Sequence, residues 1–90
     1  MREAYNLEVR RTQALVNEAA DYAVACQIRS YIAGIEQQSN HPNNNPQWLE
    51  WAKAKADWYD PTISREDAYL GKRKHDSDSS RKELTEKRWW

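Results

Sequence analysis

The first 38 residues carry two apolar stripes that point in opposite directions, and this conflict limits the fold of the 90-residue chain more than any other feature. Residues 2–20 contain no Gly and no Pro and are rich in good helix formers. At about 100° per residue, Tyr5, Val9, Thr12, Val16, Ala19 and Ala20 share one face, with Leu15 at its edge and Leu7 nearly opposite. Glu8, Arg11 and Glu18 make the other side polar. A second stripe follows to about Gln38: Ala25, Ile28, Ile32 and Ile35 recur at helical spacing, with Val24 and Tyr31 at the edge. On one straight helix this stripe points away from the first. One amphipathic helix cannot bury both stripes against one partner. The spacing therefore predicts a break near Ala20-Asp21-Tyr22, with Asp21 capping the second helix. The other solution is one long helix with partners on both sides.

Ser39-Asn40-His41-Pro42-Asn43-Asn44-Asn45-Pro46 reads as a loop, with His41 in solvent. Asn45 suits an N-cap and Pro46 the first helical position, so a third helix is expected over residues 46–59. Trp48, Leu49, Ala52, Ala56 and Tyr59 lie in one broad arc, extended by Trp51 and Trp58. Lys53 is placed to pair with Glu50 or Asp57, and Lys55 to lay its stem along the rings with its ammonium in water. Pro61 ends this helix. Ser64-Arg65-Glu66-Asp67 then looks like the start of a short fourth helix capped by Ser64. Ala68, Tyr69 and Leu70 would fold back on the core, and Gly71 would stop the helix. Residues 72–90 hold nothing apolar until near their end and are expected to be a disordered tail. The expected fold is thus all-α: a three-helix arrangement over residues 1–71, comprising a helical hairpin plus an N-terminal helix, with a short fourth helix and a separate basic tail over 72–90.

Two stretches stand out together. One is Glu18-Ala19-Ala20-Asp21-Tyr22-Ala23-Val24-Ala25-Cys26-Gln27-Ile28-Arg29-Ser30-Tyr31-Ile32. The other is Trp48-Leu49-Glu50-Trp51-Ala52-Lys53-Ala54-Lys55-Ala56-Asp57-Trp58-Tyr59-Asp60-Pro61. The pair resembles a helical region that recurs near the C-terminus of bacterial proteins of unknown function. There an aromatic precedes an Ile-Arg-x-Tyr-Ile run, and a Trp-Leu-x-Trp-Ala helix closes on Asp-Pro. The resemblance covers about residues 8–61. It departs at Tyr22, where the pattern has Trp, and in the long basic tail. It implies a helical fold, a bacterial cytoplasmic protein and a piece of a longer chain, and it carries no activity.

Composition narrows the function classes. No window is apolar enough for a membrane span, and the acid at Glu3 spoils a secretory leader, so a cytoplasmic protein is expected. The one cysteine, Cys26, lies within a helical pattern and reads as a small buried hydrophobe. With His41 and His75 it has no metal-ligand spacing, so no metal is expected. No Gly-rich phosphate loop is present, no cofactor is expected, and an enzyme is disfavoured because three short helices rarely enclose a substrate cavity.

The expected function is a non-enzymatic protein-interaction or oligomerisation module. Trp48, Trp51, Trp58 and Tyr59 serve either as core or as a protein-binding surface, together with Tyr31. Arg29 either pairs with an acid such as Asp57 or Asp60 to fix helix packing, the favoured option, or faces a ligand. The alternative function is nucleic-acid binding. Residues 1–71 carry a net charge of −3 and residues 72–90 a net of +3, and Lys72, Arg73, Lys74, Arg81 and Lys82 are placed to touch phosphates.

Overall fold

A computed structural model describes residues 2–77. It holds two helices, α1 (Arg2–Glu36) and α2 (Pro46–Tyr59). The expected three-helix arrangement with a fourth short helix is therefore replaced by one long helix and one short one. The all-helical character is retained, and among the described residues there is no strand beyond an isolated bridge between Asp67 and Gly71.

The break expected at Ala20–Tyr22 does not occur. No Gly or Pro interrupts the ladder there, and α1 runs through 35 residues, about 52 Å of helix. Asp21 caps nothing. Its carboxylate is fully buried and is held by residues far along the chain.

Only the second half of α1 meets α2. Ala25, Ile32 and Ile35 from α1 and Ala52, Ala56 and Trp58 from α2 form the buried apolar core. Small alanines on both sides let the two helix backbones come close, and the isoleucines and one indole fill the space between them. The loop between the helices is held by its own side chains. The Asn44 amide donates to the Gln38 carbonyl at 3.0 Å, and the Asn45 amide to the Pro42 carbonyl at 3.1 Å. His41 is partly buried rather than in solvent, because its Nδ1 accepts the Asn43 N–H at 3.0 Å. Asn45 caps α2 by accepting the Trp48 N–H at 3.0 Å, with Pro46 opening the first turn.

After α2 the chain turns instead of forming a helix at 64–70. Ser64 adopts a positive φ of 52° and its hydroxyl donates to the Pro61 carbonyl, so it is no N-cap. Asp67 closes a local turn, accepting from the Tyr69 and Leu70 N–H groups at 2.8 and 2.9 Å. A two-turn helix would have to repay a costly nucleus, and this turn satisfies the same backbone groups locally. Ala68, Tyr69 and Leu70 face solvent and not the core. Gly71, at φ 74°, takes the left-handed backbone that a Cβ disfavours.

Past Gly71 the chain does not leave the fold at once. Residues 72–77 run back along α1, and Arg73 is 5% exposed. The boundary expected at Gly71 thus lies inside a packed segment. Residues 78–90, with Arg81 and Lys82, lie outside the described residues.

Candidate functional site

Four groups of side chains bear on function, and they divide between the packed and the open parts of α1.

The first is an ion cluster under the aromatic end of α2. Arg73 reaches Asp21 with two nitrogens, Nε at 2.6 Å and a terminal nitrogen at 3.0 Å, and the pair is buried. His75 Nδ1 lies 2.9 Å from the same carboxylate. The guanidinium also sits over the Trp58 ring at 5.1 Å and the Tyr59 ring at 4.7 Å. Trp58 is 1% exposed, and its indole N–H donates to the Gly71 carbonyl at 2.8 Å. Trp58 and Tyr59 are thus core and near-core groups that clamp the returning chain. Arg73 is withdrawn from the basic run, while Lys72 and Lys74 remain exposed.

The second is the clamp at the end of the hairpin away from the loop, where α2 stops. Arg29 donates to Asp60 at 2.7 Å and to Asp57 at 3.0 Å, the structural pairing favoured from the sequence over a ligand role. The Asp60 hydrogen bond in particular raises the Arg29 pKa. Burial pushes the Asp60 carboxyl up, but hydrogen bonds from Thr62 and Arg29 outweigh it and hold the group below the usual carboxylate range. Nearby, Lys55 pairs with Asp67 while its ammonium lies 5.9 Å from the Trp51 ring. That ammonium is taken by a carboxylate and not left in water as expected. The Lys55 hydrogen bond is the main reason the Asp67 carboxyl falls to about 2. Lys53 pairs with Glu36 across the hairpin at 3.2 Å, not with Glu50 or Asp57 on its own helix.

The third is an aromatic ledge. Trp48 is half-buried and takes Tyr31 edge-on at 6.3 Å and Trp51 at 5.9 Å. Trp51 and Tyr31 are 56% and 58% exposed. Of the six expected interaction residues, these two present open ring surface, Trp48 and Tyr59 are half-buried, and Trp58 and Arg29 are committed to the fold.

The fourth is the open half of α1. Tyr5 is 69% exposed and Val16 59%, and Leu7, Val9 and Leu15 are open as well. This first stripe, legible in the sequence, finds no covering element among the described residues. Cys26 belongs to the same face and is exposed, correcting its reading as a buried hydrophobe. The signal for this was present: one heptad on from Ala19, Cys26 continues the first stripe and not the second.

Among the described residues no group of three or more His, Cys, Asp or Glu is arranged to hold a metal ion. No helix among them is long and apolar enough to cross a membrane. No protein-family profile, curated protein or solved structure matches the chain.

Proposed function

We propose that the protein is a non-enzymatic helical interaction module that presents the first half of α1 to a protein partner. One observation carries this reading: the stripe headed by Tyr5, Val9 and Val16 stays open on a helix whose opposite face, further along, buries Ala25, Ile32 and Ile35. Contiguous exposed apolar surface on a small domain marks an interaction site. Three ionisable groups with displaced titration support the non-enzymatic part: Arg29 and Asp60 are spent on an ion pair between α1 and α2, and Asp67 on one between α2 and the turn that follows it. The test compares the chain with its Val9→Asp/Val16→Asp form, each immobilised and exposed to native bacterial extract. A protein retained by the first and absent from the second is expected. Identical retention by both refutes the reading.

A further inference from the structure

The open face of α1 has the spacing of a coiled-coil seam. Tyr5, Val9, Thr12, Val16, Ala19 and Ala23 follow alternating steps of four and three, all are exposed, and Cys26 extends the series. The seam spans just over three heptads, about the length at which such a repeat is diagnostic. The other described residues leave it clear. The core positions Asp21, Ala25, Ile32 and Ile35 lie on the far side of the helix, and the returning chain touches α1 at Asn17 and Asp21, also off the seam.

The seam is also tapered. Its large side chains, Tyr5 and Val9, lie at one end, and its small ones, Ala19 and Ala23, at the other. Resting on the interaction reading above, we infer that the partner is a second copy of this chain, with the two α1 helices paired antiparallel. In that register Tyr5 meets Ala23 of the second copy, Val9 meets Ala19, and Thr12 meets Val16. The outer layers then set a larger side chain against a smaller one, and the two central Thr12–Val16 layers pair side chains of nearly equal size, so the helix spacing varies little along the seam. Parallel pairing would stack large on large at one end and leave a gap at the other. The flanks suit the same register. Leu15, exposed beside the seam, meets its own counterpart near the two-fold axis, and Glu8 falls opposite the hydroxyl donor of Tyr22, so no like charges oppose. The two α2 helices end up on the outside at opposite ends of the pair, clear of one another.

The test uses the purified full chain. Sedimentation across a dilution series is expected to give a mass that rises from one chain toward two. Under mild oxidation, Leu15→Cys in a Cys26→Ser background is expected to form a disulfide-linked dimer, because these flanking positions meet only in the antiparallel pair. The native chain is expected not to, since its two Cys26 residues lie at opposite ends. Val9→Glu/Val16→Glu is expected to weaken association at least about 100-fold with helical circular dichroism preserved. A mass of one chain at every concentration overturns the inference, as does cross-linking of the native chain through Cys26 with none in the Leu15→Cys variant. If the chain is monomeric yet another protein is captured in a manner sensitive to Val9 and Val16, this inference falls and the interaction reading stands.

Discussion

The two halves of α1 share one uninterrupted backbone and live under different rules. Residues 21–36 bury Asp21, Ala25, Ile32 and Ile35 against α2 and the returning chain, whereas residues 2–20 bury no side chain fully. The second half is helical because tertiary packing rewards it. The first half is helical because its residues are good helix formers and because elongating an existing helix costs far less than starting one. A helix can therefore carry an apolar face well beyond the core that anchors it and offer that face elsewhere.

Asp21 stands at the junction, so the largest effect is expected there. Asp21→Ala removes the bidentate carboxylate from the buried Arg73 guanidinium and is expected to cost about 3–5 kcal/mol, read as a lower urea midpoint. Next comes the joint itself. Ala20→Pro removes one ladder bond and clashes with the preceding turn, at a cost of about 3 kcal/mol. Helical signal from residues 2–20 should fall while the Trp58 environment, followed by fluorescence, persists. Loss of both together would mean the halves are not separable.

Trp58→Phe keeps a ring in the core but loses the indole bond to Gly71, at about 1–2 kcal/mol by urea unfolding. The pH response sharpens the comparison further. Asp60 and Asp67 both titrate lower in the folded chain than the roughly 3.9 of a free carboxyl. Their contribution is complete above about pH 4 and is lost as pH falls, for Asp67 down to about 2. Acid should therefore loosen the Arg29–Asp60 contact between the helices and the Lys55–Asp67 contact of the chain after α2, monitored by Trp fluorescence, through groups that all belong to the packed part. The smallest effect belongs to the open half: Val9→Asp/Val16→Asp is expected to change the unfolding free energy of the diluted chain by less than about 0.5 kcal/mol, since nothing packed is disturbed.

Sequence alone makes the hairpin legible where signals are local. Asn45 and Pro46 mark the start of α2, and Arg29 is readable as a partner for Asp57 and Asp60 because the hairpin brings the Ile28–Ile35 ridge against the Trp-rich helix. The phase conflict between the two stripes is equally plain. Its resolution is not, because propensity favours continuing the helix through Ala20–Tyr22 while burial of both stripes argues for a turn. The structure keeps the helix, and the Asp21 carboxylate expected to cap a new one is taken by Arg73, 52 positions away. Arg73 itself reads as part of a solvated basic run, since no periodicity marks a lone arginine for burial. Asp67 misleads in the same way: an acid three places after Ser64 fits a capping box, yet its oxygens serve a turn and Lys55. The open face is half legible, for its spacing is in the sequence, but its lack of a cover depends on where every other element goes.

Helix continuity decides between these accounts most directly. Spin labels at Leu7→Cys and Ala33→Cys, in a Cys26→Ser chain diluted with unlabelled protein, report one distance within one molecule. An unbroken α1 predicts about 39 Å between the two sites. A turn at Ala20–Tyr22 would lay the two segments side by side and bring the labels within about 20 Å, and that shorter distance would contradict the account.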